Sequence, residues 1–283
     1  MNKETALLYS GGTDSTLTAC LAAKQFDKVH LITYRRFGLF SITNPLINVK
    51  KLKDKFGEDK FTHTTISIDK LFKKVSYENF LANLIKYRLS LLSTCGLCKL
   101  TMHIRTIIYC LRNNITYACD GANQGMYFFP DQMDGVINET KKMYLNFGIN
   151  YFNPVFEFEG PQDIDFSDRL HLERLPVFQS EENNLHAAGW KEKTTGYKLY
   201  SLGLMPSENV KGSKLDRQMQ PRCFQFILFN IWLHWYYLNS HTYEEYKELS
   251  LIFFKDKIAT FTKLIAEYLE KGKKGRLSNL LED

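Results

Sequence analysis

Short strand-like runs fall at residues 5–9, 28–34, 61–68 and 115–119, and runs of this length and apolar content suit the interior of a sheet. Between them lie stretches at 14–25, 44–56, 69–91 and 99–113 whose apolar positions recur at helical spacing. The last carries Met102, Ile104, Ile107, Ile108 and Leu111 on such a pattern. Strands alternating with helices predict an α/β fold, a doubly wound parallel sheet with helices on both faces. Ligands of such sheets sit beyond the carboxyl ends of the strands, which is where Ser10, Tyr34 and Asp120 fall.

The pattern weakens after about residue 150, which divides the chain into an α/β domain over 1–150 and a covering region over 151–283, either separate or continuous with it. Residues 154–221 are mixed, with scattered Gly and Pro, and read as loops and short elements able to cover a site. Two helices follow, at 222–238 and 242–271, giving a mostly helical C-terminal extension. The first, RCFQFILFNIWLHWYYL, is shorter than the roughly 20 residues of a membrane span and contains Gln225, Asn230 and His234. A buried helix is expected there, no membrane association, and an aromatic face that can serve a homo-oligomer.

Composition narrows the class. Of 283 residues 44% are hydrophobic and 14% aromatic, enough for a large core and against disorder. The 37 basic and 31 acidic residues give +6, a bias that permits nucleotide or nucleic-acid partners without arguing for them. The opening MNKETALLYSGG has no apolar signal stretch, so a cytoplasmic location is expected, with cysteines as reduced thiols or metal ligands.

Two segments carry chemistry. SGGTDS at 10–15 follows a strand and opens a helix: Gly11 and Gly12 allow a sharp turn that aims backbone N–H groups at an anion. Ser10, Thr13 and Ser15 add hydroxyls, and the helix dipole adds attraction. No lysine follows, so this is not a Walker loop. Asp14 either binds Mg²⁺ or caps the helix. TCGLCK at 94–99 places Cys95 and Cys98 just before a helix, where the dipole favours thiolate. Such a pair is a redox dithiol, half a zinc site or part of an iron–sulfur site. Cys223 in QPRC is the natural third thiol, while Cys20, Cys110 and Cys119 lie within strand and helix patterns as small buried hydrophobes.

SGGTDS resembles the SGGxDS signature of the PP-loop ATP pyrophosphatases, which include GMP synthetases, tRNA-lysidine and thiouridine synthetases and 7-cyano-7-deazaguanine synthases. The resemblance implies that the loop holds the departing pyrophosphate of ATP, with Mg²⁺, while an acceptor oxygen is adenylated and a nitrogen or sulfur nucleophile then displaces AMP. It implies adenine contacts at Thr33 and Tyr34, and an approach of Asp120, Gly121 and Asn123 to the ribose or α-phosphate, where a simple turn is the alternative. Lys99 either stabilises charge on the α-phosphate or is a solvated helix residue. CxxCK and CDGANQ at 119–124 resemble sulfur-inserting members of that superfamily. They imply a sulfurtransferase with a [4Fe–4S] cluster on Cys95, Cys98 and Cys223, against a thiol relay, Zn²⁺ or no metal.

A rival resemblance lies in FDKVHLITYRRFG at 26–38, which is similar to the second strand of the nitrogen-transferring 7-cyano-7-deazaguanine synthases. Those carry a cysteine-rich zinc cluster near the C-terminus, where this chain has Cys223 alone. A non-catalytic nucleotide- or RNA-binding PP-loop protein is the third reading. The acceptor stays open among a tRNA base, a small heterocycle and a cofactor precursor, and a sulfur donor is implied as a further partner. Lys214, Arg217 and Arg222 form a basic run suited to an acidic acceptor or to plain surface charge. His103, four residues after Lys99, reads as structural.

Overall fold

The four expected strand runs and a fifth strand that the sequence reading did not place assemble into one parallel sheet in a computed structural model that describes residues 3–87, 94–158, 190–210 and 213–281. Strands β1 (Glu4–Leu8), β2 (Lys28–Arg35), β4 (Phe61–Ser67), β5 (Tyr117–Cys119) and β6 (Asn150–Phe152) stand in the order β4-β2-β1-β5-β6. β1 registers Ala6 against His30 on one side and Ala118 on the other, so it is the centre of the sheet. Its residues Ala6, Leu7 and Leu8 are buried, as a parallel strand covered on both faces requires. The chain winds one way from β1 to β4 and the other way through β5 and β6, which opens a crevice at the carboxyl end of β1.

Helices cover both faces. α1 (Thr13–Gln25) and α2 (Leu46–Phe56) enclose a cluster with Leu17, Leu31, Val49 and Leu52 that later residues Leu199 and Met219 complete. α3 (Asp69–Tyr77), α5 (Thr94–Arg112) and α6 (Asp134–Leu145) pack on the other face with a long C-terminal helix, Tyr243–Lys271. That helix starts in a capping box, Thr242 and Glu245 each satisfying the other's backbone N–H, and then buries Tyr246, Phe253, Phe254, Phe261 and Ile265 at helical spacing.

The α/β expectation holds, and three local expectations change. The helix read over 69–91 breaks after Tyr77 and resumes as α4 (Phe80–Lys86), because Asn79 adopts a left-handed φ of 56°; residues 88–91 lie outside the described residues. α5 begins at Thr94, so Cys95 and Cys98 lie inside its first turns rather than ahead of it. The 222–238 run is not one helix. Arg222–Cys223 form strand β7, antiparallel to β3 (Leu39–Phe40), before a short helix at Phe224–Asn230 and a wider π-type turn at Ile231–Tyr236. Within 151–221 the chain adds α7 (Thr195–Ser201) and α8 (Lys214–Gln218), while 159–189 lie outside the described residues. Among the described residues no helix is long and apolar enough to cross a membrane.

Candidate functional site

The strand–turn–helix at 8–15 is built as a cradle. Gly11 takes a φ of +80°, and its carbonyl accepts from Asn48 Nδ2 at 2.7 Å and from Thr16 Oγ1 at 3.3 Å. Ser10 Oγ lies 3.1 Å from Ser15 Oγ and accepts from Gly12 N at 3.3 Å; Ser15 Oγ donates to the Gly12 carbonyl. The hydroxyls hold the turn in shape, and the first N–H groups of α1 have no preceding helical carbonyl to bond. Gly121 abuts this start. A Cβ on it would lie 2.7 Å from Ser15 N, so glycine is required where the β5 loop crosses the helix.

A cavity of about 480 Å³ opens at the crevice. Ser10, Gly12, Thr13, Asp14, Ser15, Thr33, Tyr34, Lys99 and Gly121 line it. Thr33 donates to the Tyr9 carbonyl, and the Tyr34 hydroxyl bonds Thr106 in the core, so Tyr34 offers the cavity backbone rather than phenol. Gly11, Asp120 and Asn123 do not line it. Asp120 and Asn123 are fully buried, Asn123 against Asp14 and Asp120 behind Lys99.

The electrostatics follow from that burial. Lys99 Nζ lies 2.8 Å from Asp120 Oδ2. Asp120 also accepts from Asn153 Nδ2 at 2.7 Å and Ala122 N at 3.0 Å. Burial alone would raise the Asp120 carboxyl, but Lys99 and then His103 outweigh it and hold the group well below the usual carboxylate range. Burial likewise works against the Lys99 ammonium, and Asp120 with Asp131 overturns it upward, so Lys99 presents a full positive charge to the cavity. Asp14 is pushed up to about 7 by burial, against the pull of the Thr195 hydroxyl and Lys99. Asp131 rises to about 6 for the same reason. His103 is buried, bonded to Tyr144, and lowered to about 3 by burial, which leaves it neutral.

The cysteines meet a residue that the sequence reading passed over. Arg36, 4% exposed at the end of β2, donates from Nε to Cys98 Sγ at 2.9 Å and from Nη2 to Cys223 Sγ at 3.3 Å. Its Nη1 donates to the Phe37 carbonyl, and the Phe72 ring lies 4.2 Å from the guanidinium carbon. Cys95 lies in the same neighbourhood, close enough that charge on Cys223 or Cys98 raises it further. Burial pushes both Cys95 and Cys98 up, with Arg36 pulling Cys98 back only in part. The expected depression by the helix end is thus overturned, since both thiols sit within the helix, Cys98 buried and Cys95 half-buried. The remaining cysteines 20, 110 and 119 are buried.

The Arg36 guanidinium stands between Cys98 and Cys223 and donates to both sulfurs. Among the described residues no group of three or more His, Cys, Asp or Glu is arranged to hold a metal ion. The thiols as arranged do not fit the [4Fe–4S] cluster or Zn²⁺ expected on Cys95, Cys98 and Cys223. Lys214, Arg217 and Arg222 of the basic run, on and just after α8, are all exposed and do not line the cavity.

No protein-family model matches the chain, and no curated protein does. Several solved structures are similar to it in fold. A predicted subunit of a tRNA methyltransferase from Methanocaldococcus jannaschii shares 16% identity at a TM-score of 0.37, covering 78% of this chain and 96% of that one. The U34-tRNA thiolase NcsA from Methanococcus maripaludis, solved with its [4Fe-4S] cluster, shares 12% identity at 0.36, covering 91% and 72%. The NMN synthetase from Francisella tularensis shares 15% at 0.35, covering 93% and 88%. At such scores these likenesses carry no weight for the chemistry.

Asn48, Arg36 and Thr195 are the site residues that sequence reasoning missed. Arg36 stood in the quoted YRRFG, and a cation directly after a strand end was its signal; Asn48 and Thr195 have none, because their partners Gly11 and Asp14 lie 37 and 181 positions away.

Proposed function

We propose that the chain is an ATP-dependent enzyme of the PP-loop type that adenylates an acceptor oxygen, releases pyrophosphate, and then delivers sulfur through Cys98 and Cys223. The observation that carries this is the single cavity in which the Ser10–Ser15 cradle, the β2 end and Lys99 converge. The cradle's N–H groups suit the β and γ phosphates, Lys99 suits charge that develops on the α-phosphate, and Asp14 suits Mg²⁺. Magnesium would neutralise the leaving pyrophosphate. Thr33 and Tyr34 offer backbone groups to adenine.

Cys98 neighbours Lys99 in sequence and shares Arg36 with Cys223. Two thiols on one guanidinium suit a relay. A donor persulfide passes its outer sulfur to one cysteine, that sulfur attacks the adenylated carbon and AMP leaves. The second thiol then attacks the inner sulfur, leaving the outer sulfur on the acceptor and a disulfide that an external dithiol must reduce. This reading replaces cluster chemistry with thiol chemistry and leaves the acceptor undefined.

The test uses ATP labelled at the α-phosphate with a panel of carbonyl-bearing nucleobases and carboxylates. AMP and pyrophosphate are the expected products, and ADP with phosphate would sink the reading. Cys98→Ser and Cys223→Ser are expected to abolish sulfur incorporation while pyrophosphate release continues. Retained turnover in both variants with ammonia as nucleophile would favour the nitrogen-transferring alternative.

A further inference from the structure

Residues 219–223 span the gap between the cradle and the cysteines. At one end the Met219 carbonyl and Pro45 crowd Gly11 so closely that a Cβ there would collide with both. A Cβ on Gly12 would lie 2.6 Å from Gln220 Oε1. Asn44 fixes this stretch by donating to the carbonyls of Gln220, at 3.1 Å, and Arg217, at 3.4 Å. At the other end Cys223 pairs with Leu39 in the β3–β7 ladder and accepts from Arg36. Met219, Gln220 and Pro221 all line the cavity.

An amide oxygen therefore rests on the loop whose N–H groups suit an anion, three residues before the Cys223 thiol. We infer that Gln220 is a clamp residue. When a phosphate enters the cradle, the Gln220 carboxamide turns its Nε2 donors towards the phosphate oxygens, and residues 219–223 close on the anion with Cys223 held against Arg36. Occupancy of the cradle thus governs exposure of the thiol. The inference rests on the reading above and adds to it a positioning residue and an order of events: the thiol is held in place while pyrophosphate is bound and freed once it leaves. Asp14 and Lys99 also line the cavity.

Modification of a half-buried thiol proceeds through local opening of its segment. A ligand that binds the closed form lowers that opening in proportion to its saturation, about 100-fold at 100 times Kd. Magnesium pyrophosphate is the probe, because it fills the cradle without an adenosine that would shield Cys223 directly. Two readouts are taken on the full chain: the calorimetric Kd, and the iodoacetamide rate at Cys223 followed by peptide mass spectrometry.

Saturating pyrophosphate is expected to slow Cys223 modification by at least about tenfold. Gln220 is exposed, so Gln220→Ala should fold; it is expected to bind magnesium pyrophosphate more weakly and, once saturated at higher concentration, to lose the protection, with the Cys223 rate within about twofold of the unliganded one. Gln220→Glu, which sets a carboxylate against the phosphates, is expected to weaken binding. Absence of binding by both pyrophosphate and ATP would overturn the PP-loop reading and the clamp with it. Binding with an unchanged Cys223 rate overturns the clamp alone, and protection undiminished in Gln220→Ala removes Gln220 from it.

Discussion

Asp14 is held in its unfavourable form for the sake of the cavity. Its carboxyl stands at about 7 against an ordinary 3.8, chiefly because it is buried. Between those two values the folded chain keeps a proton that the unfolded chain releases, so Asp14 costs stability progressively as pH rises through that window and the full cost stands above it. At 1.36 kcal/mol per pH unit the gap is worth about 4 kcal/mol, and partial contact with solvent at the cavity wall reduces it to ~1–3 kcal/mol. Asp14→Asn is expected to melt higher than the wild type near pH 8, to lose that advantage near pH 4, and to lose magnesium-dependent pyrophosphate binding. A variant that melts lower near pH 8 would show that the bond from Thr195 outweighs the burial cost. Arg36 makes the opposite contribution. It opposes the upward push of burial on Cys98, so Arg36→Met should move that thiol's titration, followed by thiolate ultraviolet absorbance, to higher pH. Arg36→Lys should not restore it, since an ammonium cannot fork to two sulfurs. An unchanged titration in Arg36→Met would remove the guanidinium from the thiol chemistry.

Between elements, a tight helix contact is where α5 meets the C-terminal helix. A Cβ on Gly96 would lie 2.5 Å from Phe254 Cζ, and Phe254 is itself buried in the core. Gly96→Ala is expected to cost about 1–3 kcal/mol through this overpacking, read as a lower denaturation midpoint. Phe254→Leu in the same chain should recover part of the loss, and full independence of the two changes would show that the contact is not the cause. Gly96 also explains why the start of α5 was placed too late from sequence. A glycine between two cysteines argues against a helix interior, and packing against Phe254 overrides that preference. The long strands and helices around β1 were legible because their periodicity is local. The β3–β7 ladder was not, because two residues at 39–40 pair with two at 222–223 and neither pair shows a period. The site divides the same way. Ser10–Ser15 and Cys95–Cys98 announce themselves by spacing, whereas Arg36 acquires meaning only from Cys98 and Cys223, 62 and 187 positions away.

At the scale of the whole molecule, both faces of the sheet depend on residues beyond 190. One face is sealed by Leu199, Leu204, Met205 and Met219, and the other by Phe229, Leu233, Tyr246 and the apolar side of the C-terminal helix. Six side chains of that helix, Phe253, Phe254, Ile258, Phe261, Leu264 and Ile265, are each buried to 5% exposure or less. At roughly 1.5–3 kcal/mol apiece they contribute on the order of 9–18 kcal/mol before chain entropy is charged against them. That is comparable with the ~5–15 kcal/mol net stability of an entire domain. A fragment of residues 1–150 carries the phosphate cradle and the β4-β2-β1-β5 part of the sheet, yet would leave the outer faces of α5 and α6 in water. It is therefore expected to retain helical far-ultraviolet dichroism, to lose near-ultraviolet dichroism, and to exchange its β1 amides rapidly. It should also fail to bind pyrophosphate, since Met219 and Gln220 are absent from the cradle's wall. Slow exchange of β1 amides in the isolated fragment would instead make residues 1–150 an independent folding unit, with the C-terminal helices a docked addition.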